Sequence, residues 1–110
     1  MNALLSEVKS TLQRLKPELN QKYAVDTLGL FGSIVRDDFT PDSDIDIIVT
    51  FNRPVGIEFI DLANELEARL KRKVDLVSRR GIKPKYLEVI DPQIIYVWTR
   101  PQIPTGGYFR

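Results

Sequence analysis

Residues 44–51 read Asp-Ile-Asp-Ile-Ile-Val-Thr-Phe (DIDIIVTF), and the fold class turns on this run. It is rich in β-branched residues, which suit a pleated strand. Ile45, Ile47, Val49 and Phe51 share one face, while Asp44, Asp46, Ile48 and Thr50 share the other. Beyond Asp46 both faces are apolar, so this is expected to be an interior strand. Its two carboxylates project from the same face at its start, ~7 Å apart.

Working upstream, Ala24 to Phe31 (AVDTLGLF) reads as a second strand, stopped by Gly32-Ser33, a small-residue pair suited to a tight turn that enters a helix at Ser33. Downstream, Phe59, Ala63, Leu66 and Leu70 make a helical stripe ending in the basic cluster Lys71, Arg72, Lys73, which complements a helix C-terminus. Val74 to Val77 (VDLV) follows as a short buried strand. A helix between two strands is the crossover that parallel pairing needs. The expected fold is therefore a small α/β domain, a short mixed sheet flanked by helices.

Toward the N-terminus, Leu5, Val8, Leu12 and Leu15 form an apolar stripe on a helix expected to end near Pro17, because the residue before proline is pushed out of the α region. A short second turn is expected from Pro17 to Lys22. Pro84 starts a short helix through Ile90, and Ile94 to Trp98 (IIYVW) reads as a final strand. Residues 1–100 are taken as one domain. Residues 101–110, with two prolines and Gly106-Gly107, are taken as a tail, with Tyr108 and Phe109 as docking aromatics.

The 110 residues include 16 basic and 15 acidic side chains, so no overall field attracts a polyanion, and any phosphate ligand must be bound locally. With no Cys and no His, thiolate zinc sites, histidine triads and imidazole bases are excluded. Carboxylate, hydroxyl, Lys and Arg chemistry remains, which favours hard, oxygen-loving cations. The first nine residues lack the basic start and apolar stretch of a signal peptide, and no apolar run reaches ~18 residues, so a cytoplasmic location is expected.

Asp44 and Asp46 repel each other unless a counter-charge or divalent cation keeps both ionised. The Gly32-Ser33 turn can present free N–H groups and a hydroxyl to phosphate, with Arg36 one turn further along. Asp75 interrupts an apolar run, and a carboxylate there calls for a partner. Each feature alone has an ordinary structural reading: a turn glycine, a capping serine, an ion-paired arginine, a surface acidic pair, and an edge-strand Asp facing water. If Val74 to Val77 lies beside Asp44 to Phe51, three carboxylates can converge on metal ions beside a phosphate-holding Gly32-Ser33 turn, and the combination is more specific than its parts.

In this combination the sequence resembles a known family. Gly32-Ser33-Ile34-Val35-Arg36, then Ser43-Asp44-Ile45-Asp46, then Val74-Asp75-Leu76 is similar to the minimal nucleotidyltransferases of the polymerase-β-like superfamily, from about Leu28 to Trp98. The resemblance implies that Gly32 and Ser33, with Arg36 and Ser43, bind the phosphates of ATP. Asp44 and Asp46 would ligate two Mg²⁺, and Asp75 would complete the metal-bound carboxylate set and serve as general base. The usual glycine after the arginine is Asp37 here. Larger relatives append a helical acceptor-binding domain. A chain of this size resembles instead the antitoxin half of toxin–antitoxin pairs whose partner is a helical HEPN ribonuclease, and which transfer AMP from ATP to a tyrosine of that toxin.

Two other readings stay open at this point. One is a non-catalytic antitoxin that masks the toxin on the same scaffold. The other is a nucleotidyltransferase subunit acting on a small molecule or RNA end with a separate binding subunit, the RNA version being weakened by near-neutral charge. Tyr86, Tyr96 and Trp98 are further aromatic candidates for a partner surface, or ordinary core residues.

Overall fold

The computed structural model describes residues 3–99. The expected tail, residues 101–110 with Tyr108 and Phe109, lies outside the described residues. In chain order the elements are α1 (Ala3–Tyr23), β1 (Val25–Phe31), α2 (Ser33–Arg36), β2 (Ile45–Phe51), α3 (Glu58–Leu70), β3 (Val74–Ser78), α4 (Pro84–Ile90) and β4 (Ile95–Trp98). Short 3₁₀ turns at Arg79–Gly81 and Asp91–Gln93 flank α4. The strands form one mixed sheet in the order β3-β2-β1-β4, with β2 antiparallel to β1 and parallel to β3. Both the α/β class and the interior place of β2 match the sequence reading.

One face of the sheet builds the core. Leu28 and Leu30 of β1 stand opposite Val49 and Ile47 of β2, and all four are fully buried. Against them pack Leu5, Val8, Leu12, Leu15 and Leu19 of α1 and Leu62 and Leu66 of α3. The centre of the α3 stripe is thus Leu62 with Leu66, and Phe59, Ala63 and Leu70 flank it, partly buried. Trp98 closes the far edge, its indole N–H donating to the Leu12 carbonyl at 3.0 Å. Such a buried donor needs that partner, so β4 is tied to α1 by a bond as well as by packing.

Two expectations are corrected. The first helix does not stop near Pro17 but runs unbroken through it to Tyr23. Leu12, Leu15 and Leu19 continue one buried stripe across the proline, while Pro17 faces solvent. Burying Leu19 outweighs the one backbone hydrogen bond that proline removes, and the carbonyl left unpaired on the outer side can be hydrated. The third strand is not a buried one. It lies at the edge of the sheet, and only Leu76 of its residues is buried, against the α3 side. Asp44, read as the first residue of the strand, stands just before β2. Among the described residues no helix is long and apolar enough to cross a membrane.

Because Pro17 occupies an exposed interior position of α1, Pro17→Ala should stabilise the fold by about 1–3 kcal/mol. The check is a urea titration, in which the midpoint should rise with the slope unchanged.

Candidate active site

The opposite face of the sheet carries the polar constellation. Asp46, Ile48 and Thr50 of β2 point there, beside Thr27, Gly29 and Phe31 of β1 and Asp75 of β3. Asp46 and Asp75 are register partners in the parallel pair, so their carboxylates rise side by side from adjacent strands. Two bonds fix that register: Ile45 N–H donates to the Lys73 carbonyl at 2.9 Å, and Val74 N–H donates to Glu67 Oε2 at 3.0 Å. Glu67 lies on α3, so the crossover helix itself sets where β3 begins.

The Gly32 turn closes over Asp46 from the β1 side. Gly32 has φ 79° and ψ −149°, a conformation accessible essentially to glycine alone. A Cβ at this position would overlap the Asp46 carboxylate. Glycine is required twice over, for its backbone and for its missing side chain. The Gly32 carbonyl accepts from the N–H groups of Val35 and Arg36, each at 3.0 Å, which starts the single turn of α2. Asp37, where the resemblance expects glycine, caps that turn with φ 70° and ψ 23°. Asp is among the few residues that tolerate this left-handed conformation, so the departure keeps the backbone path.

The other site residues are distributed less tightly. Asp44 is exposed on the lead-in to β2, yet near enough for its charge to act on Asp46. Ser43 is turned toward Thr40, its hydroxyl accepting from the Thr40 N–H at 3.0 Å and lying 3.1 Å from the Thr40 hydroxyl. It pins the loop ahead of Asp44. Arg36 is exposed, with Nε 3.5 Å from Asp38 and Nη1 donating to Gln93 Oε1 at 3.4 Å. Gln93, absent from the sequence reading, also accepts from the Gly32 N–H at 3.2 Å. No motif marks it, because it reaches the turn from the lead-in to β4, 61 residues further along the chain. A cleft of about 320 Å³ lined by Asp42, Ser43, Asp44, Lys71, Arg72 and Lys73 places the basic cluster beside the acidic lead-in.

Burial, with the Asp75 and then the Asp44 carboxylate nearby, pushes the Asp46 carboxyl up to about 6, against a weaker opposing pull from Arg36. A half-buried carboxylate beside a second one is the electrostatic arrangement that a divalent cation relieves. Among the described residues no group of three or more carboxylates is gathered closely enough to cage a metal ion by itself. The donors fit the open kind of site, in which one or two carboxylates hold Mg²⁺ and substrate oxygens and water complete its shell.

Two outcomes follow from this geometry. Gly32→Ala should cost about 1–3 kcal/mol of stability by urea titration, whereas Gly81→Ala, with open space at its Cβ and no positive φ, should stay within about 0.5 kcal/mol. The second concerns pH. Since Asp46 is raised from 3.8 to about 6 in the folded chain, the folded state holds that proton more tightly than the unfolded one. Its stabilising contribution is full below the unfolded value and is lost as pH rises through about 6. Melting curves of the chain minus those of Asp46→Asn, measured without metal, should fall across that window.

Comparison with known proteins places the fold and the family. A family model described as "Nucleotidyltransferase domain" matches residues 12–102. The protein adenylyltransferase MntA of Thermococcus cleftensis is 38% identical over 94 residues, covering 84% of this chain and 95% of that protein. A crystal structure described as a toxin–antitoxin with AMP-PNP superimposes with a TM-score of 0.69 at 26% identity, over 83% of this chain and 73% of that one. The complex of a tri-AMPylated Shewanella oneidensis HEPN toxin with its MNT antitoxin matches in fold, with a TM-score of 0.64 at 24% identity, over 86% and 72% of the two chains. With a family match that spans both strands of the carboxylate pair and the turn above them, this chain belongs to the nucleotidyltransferase domain family, among its minimal members.

Proposed function

We propose that this chain is a Mg²⁺-dependent protein adenylyltransferase of the cytoplasm that acts as an antitoxin, transferring AMP from ATP to a tyrosine hydroxyl of a HEPN-domain toxin. The observation that carries the reading is the side-by-side pair Asp46 and Asp75 beneath the Gly32-Ser33 turn. It is supported by the named activity of the Thermococcus relative and by the toxin–antitoxin complex that holds an ATP analogue.

In this reading Asp46 and Asp75, with Asp44 beside them, would hold two Mg²⁺. These ions supply charge neutralisation at the transferred phosphoryl group and make the acceptor hydroxyl easier to ionise. The Gly32 N–H and the Ser33 hydroxyl receive phosphate oxygens of ATP, so the Gln93 amide must yield the Gly32 N–H when nucleotide enters. Arg36, exposed and held at long range by Asp38 and Gln93, can turn toward the phosphates. Ser43 keeps Asp44 in place through its bonds to Thr40. The acceptor oxygen bonds to the α-phosphorus as the bond to pyrophosphate breaks. Asp75, the more exposed carboxylate of the pair, accepts the proton of the hydroxyl. Positioning and charge suffice for this class of transfer without histidine.

The test is transfer of labelled AMP to the cognate HEPN-domain protein, followed by intact mass. Asp44→Asn/Asp46→Asn should reduce transfer at least roughly a hundredfold while the fold, read by melting, is kept. A catalyst should also protect an excess of toxin after it has been removed. Protection only at about one copy per toxin, with no mass gain, would make the chain a mask.

A further inference from the structure

The sheet is covered unequally, and the uncovered side is the one that holds Asp46 and Asp75. Helices α1 and α3 occupy the core face. Among the described residues the other face receives, besides the Gly32 turn, the segment from Arg79 to Ile94, which contains α4. That segment is seated where the sheet has no side chain: a Cβ on Gly29 would lie 2.7 Å from Ile94 Cγ2 and 3.2 Å from the Tyr96 ring. Arg79 holds its two ends together, pairing with Asp91 at 3.0 Å and donating to the Tyr96 hydroxyl at 2.6 Å. At its far end Gln93 reaches the Gly32 N–H.

The segment is anchored, yet α4 contains no buried residue. Tyr86 and Val89, three apart and so on one side of the helix, are 67% and 68% exposed. Lys83 at the start of the helix and Lys85 on it are exposed and make no ion pair among the described residues, with Glu88 the one acidic side chain on the helix. An apolar pair on a tethered helix with a net positive surround is the composition of a binding surface.

We propose that this outer side of α4, Tyr86 and Val89 with Lys83 and Lys85, docks the acceptor protein through an apolar patch rimmed by acidic side chains. The inference rests on the adenylyltransferase reading and adds where its partner sits. Charge sets the choice of occupant: a second copy would bring two basic rims together, whereas an acidic rim complements this one. Position agrees, because a protein on this side adjoins the face from which the carboxylate pair must be reached, and α4 runs by way of Gln93 to the turn above that pair.

The experiment measures binding of the full chain to its cognate HEPN-domain protein, at low and high salt, alongside AMP incorporation and AMP-PNP binding. Val89→Arg and Tyr86→Ala alter exposed side chains and leave the core intact. Each should weaken the complex about tenfold or more and slow AMP transfer, with AMP-PNP affinity unchanged. Lys83→Glu/Lys85→Glu should slow association and remove much of its salt dependence. Binding of the variants at wild-type strength overturns the surface, as does self-association of the wild type that Val89→Arg abolishes. A complex that Val89→Arg weakens but that carries no AMP overturns the adenylyltransferase reading and leaves the surface standing. Normal transfer by Val89→Arg does the reverse, and failure of the wild type to bind the HEPN-domain protein removes both.

Discussion

Everything at the candidate active site depends on holding Asp46 and Asp75 side by side against their mutual repulsion. Two carboxylates on neighbouring strands raise the free energy of the ligand-free fold, and their repulsion adds to burial, the larger cause, in elevating the Asp46 carboxyl. The counterweight lies one residue away on the other side of the same strands. Ile45 and Ile47 flank Asp46 and are fully buried in the main core, and Leu76 beside Asp75 is buried too. A one-residue slip of β2 or β3 would turn those side chains out and the carboxylates in. The hydrophobic pattern that folds the chain therefore also enforces the electrostatic arrangement that destabilises it locally.

The same alternation divides labour between the two faces of the sheet. One face is occupied by α1 and α3, whose outer surfaces are further joined by Lys22 and Arg69 to Glu18 and Glu65, and by the Tyr23 hydroxyl to Glu65 at 2.6 Å. Exposed pairs of this kind contribute little singly. The burial beneath them does the stabilising. The other face is left for chemistry, with Gly29 and Gly32 as the two places where an absent side chain lets another segment come down onto the sheet. Gly29 admits the strap that carries α4, and Gly32 admits its own backbone to the Asp46 carboxylate.

The sequence made the sheet and the carboxylates legible because both rest on short-range pattern. The two-residue alternation of residues 45–51 determined β2, and the Gly32-Ser33 break located the turn. Pro17 misled because local backbone preference points one way and the buried stripe from Leu12 to Leu19 the other, and the tertiary contact is the stronger. The edge position of β3, present in the sequence reading only as the ordinary alternative for Asp75, was passed over for a different reason. A five-residue strand with Val, Leu and Val reads as buried whichever neighbours it has, and only the strand order exposes it. Gln93 and the placement of Lys71–Lys73 beside Asp44 depend on contacts 57 and more, or about 30, residues apart in the chain, and no periodicity reports them.

Long-range placement also resolves an apparent contradiction in the composition. A chain with one net positive charge has no field with which to gather a triphosphate. The fold concentrates charge instead of adding it. Arg36 on α2, and Lys71 to Lys73 at the end of α3, come from different parts of the chain to flank the acidic lead-in and the Gly32 turn. Opposite charges that balance in the sum are thus gathered at one place, Lys71 to Lys73 beside Asp42 and Asp44. In the proposed reading, a site built this way would attract phosphate only at close range, where the backbone of the turn is already within reach, so recognition would rest on local geometry and little on the charge of the whole molecule.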